Sequence, residues 1–122
     1  MPRVVFDSSF LMAVVARPTA WREDMTEKLG GFEPVVLDCV LAEMDSLSAG
    51  RGRRSRSAAV AKGIASGFRV VKSGGGDVDD EIASYALSNA AAVATLDRGL
   101  ISTLKARGVR IITLRAGRVA LA

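Results

Sequence analysis

Histidine is absent from the 122 residues, and cysteine occurs once, at Cys39. Without histidine there is no Cys/His zinc cluster and no His-dependent catalytic triad, and one cysteine excludes an internal disulfide framework. Any metal bound here is held by oxygen. Aromatic residues are also scarce, 5% against 49% hydrophobic overall, so the core is expected from Val, Leu, Ile and Ala. Base stacking is then a poor main mode for binding nucleic acid. No apolar run approaches the ~20 residues of a membrane-spanning helix. The segment Met1-Pro2-Arg3-Val4-Val5-Phe6-Asp7 has neither a long apolar signal region nor a small-residue cleavage site. The expectation is a cytoplasmic location with no membrane partner. The Gly-rich turn of a dinucleotide site is missing after the first apolar run, and Gly74-Gly75-Gly76 leads into acids that repel phosphate unless a metal intervenes.

The chain has the length of one domain. At this size a fold buries roughly two-thirds of the surface that its unfolded chain exposes, so residues 1–122 are read as a single domain with a real core. Seventeen Lys and Arg face thirteen Asp and Glu, a net charge of +4. Distribution matters more than this excess. Arg51, Arg53, Arg54 and Arg56 crowd one segment, and Asp77, Asp79, Asp80 and Glu81 another. Such segregation suits a polyanion held beside a metal.

Buried-strand patterns alternate with helical ones along the chain. Residues 3–7 read as a strand ending in an acid, followed by a helix over residues 10–16 that Ser8 or Ser9 caps and Pro18 closes. Thr19 is expected to cap a helix reaching Leu29, with Trp21, Met25 and Leu29 in steps of four and Gly30-Gly31 as the stop. That stripe belongs to the core or to a dimer surface. A second strand covers residues 34–37, and Asp38 caps a helix over 39–47. Residues 48–57 read as a Gly, Ser and Arg linker, and 58–67 as a small-residue helix packing Val60 and Ile64 on the sheet. A third strand at 68–71 precedes a helix at 78–90 with Asp79, Ile82, Ala83, Ala86 and Ala90 on one face. A fourth strand at 92–96, a helix at 98–107, a fifth strand at 109–113 and a small edge strand at 118–121 complete the chain. This alternation implies a parallel sheet covered on both faces, because parallel neighbours need a long crossover. The expected fold class is a three-layer α/β/α sandwich with about five parallel strands.

In an open α/β sheet, ligands bind beyond the carboxyl ends of the strands. Asp7 ends the first strand and Asp97 follows the fourth. Asp79 and Asp80 open the helix that returns to that fourth strand, and Glu43 lies about one turn into the helix after the second. Singly, each has an ordinary structural use, as a cap for Asp7, Asp79 or Asp80 and as a solvated residue for Glu43. Gathered at one sheet edge, they repel one another unless a cation sits among them, and an all-oxygen donor set fits Mg²⁺ or Mn²⁺. Two such ions can hold the attacking water and the leaving oxygen of a phosphodiester hydrolysis. Ser9 and Thr95 stand where a hydroxyl orients a carboxylate or a phosphate. Arg51, Arg53, Arg54 and Arg56 are read as phosphate contacts that hold a nucleic-acid backbone with little sequence readout, though the same pattern also describes a solvated loop.

The segments Val4-Val5-Phe6-Asp7-Ser8-Ser9, Val40-Leu41-Ala42-Glu43-Met44, Asp79-Asp80-Glu81-Ile82 with Ala86-Leu87, and Ala94-Thr95-Leu96-Asp97-Arg98-Gly99-Leu100 together resemble a PIN domain over nearly the whole chain. The Thr-x-Asp-x-x-Leu segment and its spacing from the Asp-x-x-Ile helix are the most specific parts. The resemblance implies a sheet of strand order 3-2-1-4-5 and a metal-dependent endoribonuclease acting on RNA, with Mg²⁺ or Mn²⁺ as cofactor. Carried over by position, Asp7 and Asp97 are the main metal ligands, and Glu43 and Asp79 hold a second metal or the water. Asp79 fits the pattern better than Asp80, which stands as its alternate or as a supplementary ligand. The resemblance further implies a role in ribosomal-RNA processing or as the toxin of a toxin-antitoxin pair. The partners to expect are therefore RNA, an antitoxin protein in the second case, and a second copy of the chain paired through its early helices. The competing reading is a non-catalytic RNA-binding or scaffold protein that keeps the fold.

Overall fold

The computed structural model describes residues 1–122. One sheet is built from β1 (Arg3–Phe6), β2 (Glu33–Leu37), β3 (Arg69–Val71), β4 (Ala92–Ala94), β5 (Ile111–Arg115) and β6 (Arg118–Leu121), in the order β3-β2-β1-β4-β5-β6. The first five strands are parallel in the expected 3-2-1-4-5 order, and β6 adds an antiparallel edge to β5. The helices are α1 (Ser8–Ala16), α2 (Trp21–Leu29), α3 (Asp38–Ser48), α4 (Arg53–Ala65), α5 (Val78–Asn89) and α6 (Arg98–Ala106). The chain steps from β1 to β2 to β3 one way across the sheet and from β4 to β5 the other. Right-handed crossovers then put the first four helices on one face and the last two on the opposite face. Packing of α4 on α1 and α3, and of α5 on β1 and β4, follows that division.

Strands covered on both faces are apolar at every position rather than at alternate ones. Val4, Val5, Phe6, Val35, Val36 and Val93 are all fully buried. The few aromatics gather in one place, with the rings of Phe10, Trp21, Phe32 and Phe68 centred 5.0–6.3 Å from that of Phe6. Trp21 and Met25 are therefore core residues, and Leu29 packs at the margin. Pro34, which has no N–H to donate, precedes the point at Val35 where β2 begins to pair with β3. No helix is long and apolar enough to cross a membrane.

Several helices start differently from the sequence expectation, because the hydroxyl and carboxylate side chains near their starts are engaged elsewhere or left unpaired. Ser8 and Ser9 lie inside the first turn of α1 instead of capping it. Thr19 does not cap α2, which begins at Trp21, and its hydroxyl is buried without a partner. Asp38 is the first residue of α3, and its carboxylate accepts the N–H of Ser73 at 2.9 Å and its hydroxyl at 2.5 Å. Those two bonds hold the Asp38 carboxyl below its usual range and tie the loop after β3 to α3. The expected linker at 48–57 shrinks to residues 49–52, because α4 begins at Arg53 after Gly52, whose φ of 96° suits a residue without Cβ. The buried row of α4 is Ser55, Ala58, Ala61 and Ala65, while Val60 is 54% exposed. The alanines allow close approach to α1 and α3, and the expected contact of Val60 with the sheet is not made.

The antiparallel edge is fastened by charge. Arg118 donates from Nε and Nη2 to the two oxygens of buried Asp24 on α2, both at 2.7 Å, and the Val119 N–H adds a bond at 3.3 Å. The side-chain bond from Arg118 is the main reason that the Asp24 carboxyl is lowered to about 2.

Candidate active site

β1 and β4 lie side by side, but the connections leaving them run to opposite faces, which opens a crevice beyond their carboxyl ends. Asp7 follows β1 immediately, and its N–H bonds the Ala94 carbonyl at 2.9 Å, so the sheet ladder holds its backbone. Thr95 and Asp97 follow β4. Glu43 comes from α3 and Asp79 from the first turn of α5. A cleft of about 500 Å³ is lined by these four carboxylates, by Ser8 and Ser9, and by Arg54 of α4.

Hydroxyls from the two strand ends position the deepest acid. Asp7 is buried, and its Oδ2 accepts from Ser9 Oγ at 2.6 Å and from Thr95 Oγ1 at 2.8 Å. The hydroxyls are themselves held, since Ser9 Oγ accepts the Leu96 N–H at 3.0 Å and Thr95 Oγ1 accepts the Asp97 N–H at 3.1 Å. Asp97 caps α6 by accepting the Leu100 N–H on Oδ1 at 3.0 Å. Ser8 Oγ donates to Glu43 Oε1 at 2.6 Å. Asp7 Oδ1, Asp97 Oδ2, Glu43 Oε2 and both oxygens of Asp79 take part in none of the chain's hydrogen bonds. None of the four acids forms an ion pair, because the carboxylates paired with Lys or Arg are Asp24, Glu33 and Asp45.

The carboxyl of Asp79 is held above its usual range, first by desolvation against the cleft and then by the charges of Asp7, Asp97, Asp77 and Glu43. The residue as a whole is solvent-exposed, so the repulsion bears more on the argument than the burial does. Hard oxygens, uncommitted and mutually repelling, are the donor set of a divalent cation such as Mg²⁺ or Mn²⁺. No three acids stand so as to close around one ion. An ion held here would take one or two of the carboxylates and complete its shell with waters and substrate phosphates, as Mg²⁺ commonly does.

Asp80 is exposed and lies outside the cleft, in a shallow hollow that also contains Leu87 and Arg107. Of the four arginines, Arg54 reaches the acidic cleft, Arg51 and Arg56 line a separate hollow at the turn between α3 and α4, and Arg53 lines neither. Two contributors escaped the sequence reading. Ser8, taken there as a cap, positions Glu43, and the paired serines directly after a strand-end acid were the available signal. Gly99 is the other, because a Cβ there would stand 3.3 Å from Asp97 Oδ1, tight enough to push on that carboxylate.

No curated protein matches the chain. Among solved structures, the PIN domain endonuclease Utp24 superposes with a TM-score of 0.79 at 24% identity, over 98% of this chain and 90% of that one. A domain of a functionally unknown protein from Methanocaldococcus jannaschii gives 0.64 at 17% identity, over 95% and 93%. PAE2754 from Pyrobaculum aerophilum gives 0.59 at 20%, over 90% and 83%. At these identities the likeness establishes the fold. A family model described as a PIN like domain matches residues 4–117, and the chain belongs to that family.

Proposed function

We propose that the protein is a Mg²⁺- or Mn²⁺-dependent endoribonuclease that hydrolyses RNA phosphodiester bonds in the cleft between β1 and β4. PIN domains are generally nucleases, which supports the reaction class. The observation that carries the reading is the set of four convergent carboxylates, each with an oxygen free of any protein donor and none ion-paired. Asp7 and Asp97 are the main metal ligands in this reading, and Glu43 and Asp79 hold a second ion or the attacking water. When bound, the metal lowers the pKa of a coordinated water and offsets charge on the phosphate. The chain's own residues do the rest. Ser9 and Thr95 fix the Asp7 carboxylate through Oδ2 and leave Oδ1 uncommitted, Ser8 does the same for Glu43 through Oε1, and the cap bond at Leu100 N–H leaves Oδ2 of Asp97 available. Each turnover joins one water oxygen to phosphorus and breaks one P–O ester bond. Arg51, Arg53, Arg54 and Arg56 hold the RNA backbone by its phosphates.

Asp7→Asn and Asp97→Asn variants are expected to keep the wild-type fold by circular dichroism and to lose cleavage of single-stranded RNA in Mn²⁺ buffer. Undiminished cleavage by either variant sinks the proposal. The role proposed is RNA processing. Growth arrest on induced expression, relieved by a co-encoded protein, would assign the toxin role instead. The absence of any three acids closed around one ion favours a second reading, a non-catalytic RNA-binding protein. RNA binding without divalent-ion binding would select it.

A further inference from the structure

The four arginines near the start of α4 are not equivalent. The buried row of α4 is Ser55, Ala58, Ala61 and Ala65, and exposed Arg54 immediately precedes its first member. The alanines let α4 approach α1 and α3 closely, and this carries the Arg54 backbone to the rim of the carboxylate cleft. Arg54 lines that cleft together with Asp7, Glu43, Asp79 and Asp97, yet no acid lies close enough to pair with it. Arg51 and Arg56 belong to a different hollow. An exposed guanidinium that borders four carboxylates and pairs with none is a cation left free for an anionic ligand. Its planar fork of N–H donors matches two oxygens of one phosphate.

We propose that Arg54 contacts the phosphate undergoing cleavage, while Arg51, Arg53 and Arg56 hold phosphates to one side of it. The assignment rests on the nuclease reading and deepens it. As the water oxygen bonds to phosphorus, the water yields its proton to a cleft carboxylate. The ester oxygen departs with the electron pair of its broken bond and takes up a proton from solvent. Charge on the non-bridging oxygens grows during this exchange. The Arg54 guanidinium binds them more strongly in the transition state than in the ground state.

The test compares wild type with R54A, R54K, R51A and R56A, all as the full chain. Three quantities are read: Mn²⁺ affinity by calorimetry without RNA, affinity for a labelled single-stranded oligoribonucleotide in Ca²⁺ by anisotropy, and the single-turnover cleavage rate in Mn²⁺ at saturating protein. The expected result for R54A is a saturated rate lower by about 10²–10³-fold, the scale set by removing one oxyanion donor. Its Mn²⁺ affinity should equal or exceed that of wild type, because a like charge has left the cleft wall. R54K regains part of the rate. R51A and R56A weaken RNA affinity and lower the saturated rate far less than R54A does. A saturated rate for R54A matching that of R51A overturns the assignment and leaves the nuclease reading standing, as does a loss of Mn²⁺ affinity in R54A, which would mark a structural role. Failure of the wild-type chain both to bind Mn²⁺ and to cleave RNA overturns the nuclease reading and this assignment with it.

Discussion

Thr95 ties the stability of the fold to the geometry of the site, and replacing it separates the two. The residue is fully buried at the end of β4, and its hydroxyl spans the cleft floor by accepting from Asp97 N–H and donating to Asp7 Oδ2. Valine has the same shape and keeps the apolar contacts. Thr95→Val therefore removes chiefly one hydrogen bond to a carboxylate, a loss of about 1.5–3 kcal/mol. The Asp97 N–H loses its acceptor as well, a part-buried bond that places the loss toward the upper end of that range. Thr95→Ser keeps the hydroxyl and gives up one buried methyl, about 1 kcal/mol. At this chain length each kcal/mol corresponds to roughly 3–6 °C in Tm. Urea unfolding at constant m reads both variants. The same protein samples titrated with Mn²⁺ should rank T95V below T95S, because only the valine removes one of the two hydroxyl donors that fix Asp7 Oδ2 and leaves Ser9 alone. If T95V is as stable as T95S and binds Mn²⁺ equally well, the hydroxyl network does not organise the cleft and the reasoning fails.

Two further predictions concern the frame around the site. Asp24, lowered to about 2 from 3.8, contributes stability that is fully present above the unfolded value and is lost as pH falls from 3.8 through 2. Asp24→Asn should thus make the acid limb of the stability profile shallower between those values, with the lowered Asp38 still contributing to it, and urea midpoints that fall with pH as steeply in the variant as in wild type contradict it. On α4, Ala61→Val overpacks the contact with α1 and α3 at a loss of about 1–3 kcal/mol, whereas Val60→Thr on the exposed face changes stability by no more than about 0.5 kcal/mol. The reverse order in chemical denaturation would mean that the helix presents its other face.

Much of this architecture is legible in the residues because the strands sit between two helical layers. Continuous runs such as Val4-Val5-Phe6 and Val35-Val36-Leu37 can be little else at that length, and the acids that follow β1, β2 and β4 (Asp7, Asp38 and Asp97) are conspicuous. Helix starts are harder to read. Ser9 and Asp38 have the chemistry of caps, but partners distant in sequence, Thr95 and Ser73, decide their use. The start of α4 is harder still. Its buried row is mostly alanine, so its inward face carries no hydrophobic signal, and four arginines with glycine and serine look like a linker until α1 and α3 are in place to pack it. For the same reason, no local pattern distinguishes Arg54 from its neighbours. Asp79 and Asp80 differ by one helical step, about 100°; the face that Asp79 shares with Ile82 and Ala86 already separates them in the sequence, and the packing of α5 on β1 and β4 brings Asp79 to the cleft while Asp80 lines a different hollow.

The central claim is that these four carboxylates form a divalent-ion pocket. Calorimetric titration with Mn²⁺ at near-neutral pH tests it most directly. Binding is expected of the wild-type chain, with its loss in Asp7→Asn and Asp97→Asn and its retention in Asp80→Asn. Absence of Mn²⁺ binding to the wild type, or binding that depends on Asp80 and survives removal of Asp7, would contradict it.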